Sequence, residues 1–187
     1  MVAKMKRVYI FLADGFEETE AITPADLLRR AGIDVCLVSL NDTAAVTGSH
    51  NIRLTADAVF EQCNWDDASM LVLPGGKLGT ENLEKHEPLA QLLMDAGKKE
   101  ITLAAICAAP RVLGRLRLLH GKQACCYPGE ESSLYGAQVI YEPVAIANGV
   151  ITSRGMGTAF EFGLALVRHL CGSEVAEAIA RKTVYNC

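Results

Sequence analysis

The chain has 187 residues, half of them hydrophobic and about a fifth charged, with a formal net charge of −4. This is an ordinary soluble globular balance, and the length fits one domain over 1–187. The acidic balance argues against nucleic-acid binding, no apolar run reaches membrane-spanning length, and Val8–Ala13 is too short for the apolar core of a secretion signal.

Strand, helix and strand alternate along the sequence, which predicts an α/β fold with a largely parallel sheet. The first predicted strand is Arg7–Ala13, left through Asp14-Gly15. Glu17–Ala31 is acidic at its start and carries Arg29 and Arg30 at its end, as a helix dipole favours. Thr23-Pro24 inside it predicts a kink or two abutting helices. Gly32 ends this stretch and Asp34–Leu40 is the second strand. Residues 42–60 alternate in short segments, a hairpin or small side sheet. A buried strand over Ser69–Leu73 runs into Pro74-Gly75-Gly76, and Pro88–Gly97 reads as a helix.

Thr102–Ile106 has the branching and length of a buried strand. The basic cluster Arg111–Arg117 is expected on a solvated helix face. Gln123–Cys126 and Gln138–Ala147 are strand candidates, Asn148-Gly149 is a turn, and Val150–Ser153 is a strand. Gly155-Met156-Gly157 precedes a helix over Thr158–Leu170 that is apolar on most faces. Ser173 is expected to cap a last helix reaching about Thr183.

The seven cysteines are Cys36, Cys63, Cys107, Cys125, Cys126, Cys171 and Cys187. Their number is odd, no C-x-x-C occurs, and His50, His86, His120 and His169 lack metal-ligand spacing with one another or with cysteine. A reduced, cytoplasmic chain without a metal is the expectation. Cys125-Cys126 is read as two separate side chains on one strand, because adjacent cysteines rarely bridge without strain.

Cys107 carries the chemistry in this reading. Ala105-Ile106-Cys107-Ala108-Ala109 has the small-x-nucleophile-x-small layout of a nucleophile elbow, and Pro110 suits a first helical turn. Such a turn aims the thiol at the next helix's N-terminus, where unpaired N–H groups stabilise a thiolate. A buried structural cysteine is the other reading of this segment. Ligand sites in parallel sheets lie beyond the carboxyl ends of the strands. Gly15–Glu20, Pro74-Gly75-Gly76 and Cys107 all fall there, and that convergence favours the elbow. Glu17 and Glu18 are expected as dipole-stabilising surface acids. Glu20, ionised, can take a proton from thiol or substrate; protonated, as burial favours, it can donate a hydrogen bond. The N–H groups of the Gly75-Gly76 turn and of Ala108 can form an oxyanion hole.

Four ordered segments carry a family resemblance. They are Ala13-x-Gly15-x-Glu17-Glu18-x-Glu20, Leu73-Pro74-Gly75-Gly76, Ala104–Pro110, and Thr152-Ser153-Arg154-Gly155-x-Gly157-Thr158 with Phe160-Glu161-Phe162. Together they resemble the ThiJ/PfpI superfamily, in the branch of the Parkinson-disease-associated protein (DJ-one) and its bacterial ThiJ/YajL-like relatives, over essentially the whole chain. The resemblance implies a flavodoxin-like three-layer sandwich and a homodimer, for which Ile22, Leu27 and Leu28 offer a face. It implies a reactive Cys107 held against Glu20, with oxyanion donors at Gly76 and Ala108. The activities it implies need no cofactor: glyoxalase conversion of methylglyoxal to lactate, or deglycase action on glycated amines and thiols. Sensing of oxidative stress through a cysteine sulfinate is the other implied role. The chain departs from the pattern in three places. Tyr127 stands where a histidine is often found. Ala108 follows the nucleophile where protease-type members have histidine, which argues against peptidase activity. His50 replaces an arginine that would build a small-anion site with Arg30.

Overall fold

The computed structural model describes residues 7–99 and 101–185; Met1–Lys6, Glu100, Asn186 and Cys187 lie outside it. In β1 (Arg7–Leu12), Val8, Ile10 and Leu12 enter one apolar cluster while Tyr9 and Phe11 enter another. The split follows from side chains alternating across a strand, and β1 is therefore buried on both faces. After β1 come α1 (Glu18–Arg30), β2 (Asp34–Ser39), the hairpin β3 (Ala45–Thr47) and β4 (Arg53–Thr55), and β5 (Ala58–Val59). Next are β6 (Ala68–Leu73), α2 (Lys77–Lys85), α3 (Glu87–Lys98), β7 (Thr102–Ile106) and α4 (Pro110–Arg115). The chain continues through β8 (Gln123–Ala124), β9 (Gln138–Val139), β10 (Val144–Ala147), β11 (Val150–Ser153), α5 (Ala159–Cys171) and α6 (Ser173–Lys182).

The seven-stranded sheet has the order β10-β11-β7-β6-β1-β2-β5, with only the β10–β11 pair antiparallel. One face packs on α1, α5 and α6 through Leu27, Leu28, Phe162, Leu166 and Ile179. The other packs on α2, α3 and α4 through Leu83, Leu89, Leu93, Val112 and Leu113. This is the three-layer, flavodoxin-like sandwich expected.

Several local expectations are corrected. Helix α1 runs unbroken through Pro24, which is buried and packs on α5; a Cβ built on Gly163 would lie 3.2 Å from Pro24 Cα and 2.6 Å from Leu27 Cδ1. This close approach to α5 holds the helix together across the missing N–H. Leu27 and Leu28 are spent on the chain's own core, so of the expected dimer face only Ile22 is exposed. The expected strand 138–147 splits into β9 and β10, with Pro143, which has no N–H for a ladder, between them. Strand β8 stops at Ala124, before the cysteine pair. Helix α2 was not expected: Leu78 is exposed, leaving Leu83 as its one buried large apolar side chain. Gly172, at φ +89°, holds the N-cap of α6, and Ser173 is its first helical residue.

Arg111 is the sharpest of these corrections. It is buried, not solvated, and its guanidinium donates to Glu84 at 3.1 and 3.2 Å and to Glu130 at 3.2 Å. The exposed Arg115 of the same cluster reaches Glu84 at 3.0 Å.

Candidate active site

The sheet reverses its winding between β1 and β6: from β1 the chain proceeds outward to β2 and β5, then returns to the other side for β6 and β7. The carboxyl ends of strands at such a switch point form a crevice. Glu20 enters it from the first turn of α1, Gly75 from the loop after β6, and Cys107 directly from the end of β7. The Gly75 N–H donates to Glu20 Oε2 at 3.0 Å. A Cβ built on Gly75 would fall 2.5 Å from Cys107 Cβ, 3.0 Å from Cys107 Sγ and 2.6 Å from Glu20 Oε2. Only a residue without a side chain fits here, because Gly75 lies against both groups.

Cys107 adopts φ +66°, in the left-handed region. For a non-glycine residue this costs on the order of 1–2 kcal/mol, and the surroundings hold it in place. Its N–H donates to the Ser153 carbonyl at 3.1 Å, and its own carbonyl accepts from Tyr127 N–H at 2.7 Å. Ala105 and Ala109 flank it fully buried, and Pro110 opens α4. This is the elbow geometry that the small residues required.

The electrostatics differ from the expectation of a thiolate favoured by a helix terminus. Burial, reinforced by the Glu20 carboxylate, pushes the Cys107 thiol up to about 12; N–H groups of Gly76 and Ala108 facing the sulfur pull the other way. Burial also pushes Glu20 up to about 7, against the hydrogen bonds it shares with Cys107 and Gly75. Two negative charges in contact in a water-poor site repel strongly. The pair therefore titrates as one unit. Transfer of the thiol proton to Glu20 moves the single charge onto sulfur, where the two amides receive it.

A pocket of about 520 Å³ opens above the pair, walled by Tyr127, Pro128, Arg154, Gly155 and His50. Tyr127 and His50 are thus brought to the site as expected. Arg30 is not: it lies in the last turn of α1, paired with Asp26 at 2.5 Å, and does not line this pocket. Arg154, part of the Thr152–Thr158 segment, also walls the pocket, a role its sequence pattern alone does not give it. Its position directly after β11, a fourth strand ending beside the others, was the available signal.

Glu18 is buried rather than a surface acid. Burial alone would raise it, but its own N–H, the His50 ring and N–H, and Ser49 outweigh burial and hold it at about 2. His50 is raised in turn, first by its hydrogen bond with Glu18 at 3.1 Å. Among the described residues, Glu17, Glu18 and His50 form a group spaced to hold an ion, their ligand atoms within 4.8 Å of one another. Ser49 already bridges the two carboxylates at 3.0 and 3.2 Å. Cys125 turns its sulfur to the Thr152 carbonyl at 3.3 Å while Cys126 packs into the apolar cluster beside α4.

Comparison with known proteins agrees with this fold. The DJ-1/PfpI family profile matches residues 6–169. Protein dj-1beta of Drosophila melanogaster is 36% identical over 178 residues, covering 94% of this chain and 95% of that one. Protein DJ-1 homolog B of Arabidopsis thaliana is 35% identical over 182 residues, and this chain spans 96% of its own length but 42% of that protein. A Pyrococcus abyssi protein named a deglycase is 30% identical over 156 residues, covering 82% of this chain and 93% of that one. The structure of oxidised Toxoplasma gondii DJ-1 superposes with a TM-score of 0.93 at 31% identity, covering 97% of this chain and all of that one. With the family profile matched over residues 6–169 and the Drosophila relative matched nearly end to end, the chain belongs to the DJ-1/PfpI family.

Proposed function

We propose that this protein is a cofactor-independent enzyme acting on small reactive carbonyls, as a glyoxalase or deglycase, with Cys107 as nucleophile and Glu20 as acid and base. The observation that carries this reading is the Cys107–Glu20 pair in contact across Gly75, with amides facing the sulfur. The Pyrococcus relative named a deglycase supports the same class.

For methylglyoxal the chemistry balances within the pocket. Cys107 sulfur adds to the aldehyde carbon, and its proton passes to the carbonyl oxygen, giving a hemithioacetal. Glu20, as carboxylate, removes the hydrogen from that carbon and delivers it to the neighbouring ketone carbon, while the hydroxyl proton on the first carbon's oxygen passes to the ketone oxygen. The first carbon is oxidised and the second reduced, so no external redox partner is needed. The product is a thioester of lactate, which water cleaves to lactate and free thiol. The N–H groups of Gly76 and Ala108 stabilise charge on sulfur or on an adjacent oxygen. Arg154 and, when protonated, His50 offer cationic groups at the rim for the carboxylate product.

Turnover of methylglyoxal to lactate by the wild type, and its loss in Cys107→Ser, tests the reading. Wild-type protein without turnover of methylglyoxal or of glycated thiols would end it and leave the sensor reading. That second reading is favoured by the same amides, which can hold a sulfinate, and by the oxidised state of the Toxoplasma relative. A homodimer and a reduced cytoplasmic setting complete the proposal. The described cysteines are all free, and no helix is long and apolar enough to cross a membrane among the described residues. Sedimentation at micromolar concentration reads the dimer directly: a mass near the 20.1 kDa of one chain would refute it.

A further inference from the structure

At the amino ends of β7 and β11, the end of the sheet opposite Cys107, lies a second pocket of about 580 Å³, larger than the one above the nucleophile. Both volumes fall in the range of small-molecule sites. Lys99, Arg117 and Lys122 line it, together with the imidazoles of His120 and His169. None of the described residues lining it is a carboxylate. In a chain of net charge −4 this separation is not a consequence of composition.

Several arginines elsewhere in the fold are paired with acids. Arg7, Arg29, Arg30, Arg111 and Arg115 all face carboxylates within 3.2 Å. Arg117 instead lies over the Tyr135 ring, 4.9 Å from its centroid, with no ion pair to a carboxylate among the described residues. Lys122 Nζ donates one hydrogen bond to the Asn148 carbonyl at 2.8 Å, which fixes the ammonium and leaves two donors. His169 Nε2 is tied to Thr102 Oγ1 at 2.8 Å, so its ring is oriented as well. Arg117 holds φ +61° just after α4, at the position where a helix end ordinarily uses glycine. The backbone accepts that conformation while placing a guanidinium at the pocket. Like charges gathered this way repel one another, and an anion bound among them removes the repulsion. Leu103 and Val150 give the pocket an apolar wall beside the charged one.

We infer that this pocket is a second binding site, separate from the Cys107 chemistry, for a small phosphorylated molecule. Phosphate fits better than carboxylate because it brings up to two charges and three acceptor oxygens to a site with several separate donors. Inorganic pyrophosphate is the minimal probe, with malonate as the carboxylate control, each titrated by calorimetry and by amide chemical shifts. Wild type and Cys107→Ser should bind pyrophosphate equally, with shifts at Lys99, Arg117 and Lys122. Arg117→Ala with Lys122→Ala should weaken it about tenfold or more. Lys99→Ala is exposed and outside any helix or strand, so it weakens binding while leaving the melting temperature in place, which separates binding from folding. The inference is overturned by the absence of saturable pyrophosphate binding or by equal affinity in the cation variants. It is also overturned by loss of binding in Cys107→Ser, which would place the ligand at the other pocket. Malonate binding as tight as pyrophosphate would overturn the phosphate assignment.

Discussion

Glu20→Gln should stabilise the protein at alkaline pH while abolishing its chemistry. Glu20 is about 1% exposed, and burial raises it from 4.5 to about 7. Its folded form therefore holds a proton that the unfolded chain releases, so its contribution is full below 4.5 and is lost as pH rises through about 7. At 1.36 kcal/mol for each pH unit, that loss reaches about 3 kcal/mol. Glutamine has nearly the same shape, can still accept from the Gly75 N–H, and carries no charge at any pH. Urea unfolding at about pH 5 should separate the two proteins by under about 1 kcal/mol, and at about pH 8.5 by about 3 kcal/mol in favour of the variant. Turnover should fall on the order of 100-fold or more, the usual loss for a general acid or base. A stability gap that stays constant with pH, or that favours wild type at alkaline pH, would refute the reasoning, because neither is compatible with a buried carboxyl forced to ionise.

Gly75→Ala places a methyl group against Cys107 Cβ and Glu20 Oε2, so turnover should drop about 100-fold, the scale of a misplaced reacting group, while circular dichroism stays native. Arg111→Ala leaves Glu84 and Glu130 without their buried cation and should cost about 3 kcal/mol in urea unfolding; a loss below about 1 kcal/mol would place Arg111 in solvent after all. Mild peroxide should add two oxygens at Cys107, read by peptide mass, since Cys125 turns to Thr152 and Cys126 packs into an apolar cluster; a disulfide from Cys107 to either as the main product would contradict that arrangement.

The parts of the site legible in the sequence were those that local geometry demands. A cysteine at φ +66° between buried alanines leaves small residues on both sides, and a loop pressed against Cys107 and Glu20 leaves glycine at position 75. Continuous apolar runs of strand length likewise marked β1, β6 and β7, whose alternate residues fill two different clusters. What stayed hidden depended on partners far away in sequence. Glu18 looks like any acid at a helix start until Ser49 and His50 close over it. Arg111 looks solvated until Glu84 and Glu130 arrive, and Pro24 looks like a break until α5 packs against it. The thiol's high value also has a non-local origin, since burial and a carboxylate from another strand end override the backbone amides beside it.

The elbow has a consequence for the chain before it is native. Glu20 and Gly75 meet across 55 residues of sequence, and β1, β6 and β7 are parallel neighbours that local turns cannot join. Such pairings form late, because long loops must close first. Until they do, Cys107 is an ordinary solvated thiol, ionising near about 8.5 and open to any electrophile. Completion of the sheet buries the thiol beside Glu20 and raises it, so that on the proposed mechanism its charge is released by handing a proton to Glu20. The fold thus acts as a chemical safety catch: newly made or damaged chains expose an indiscriminate thiol, and only the finished sheet restricts what it can attack.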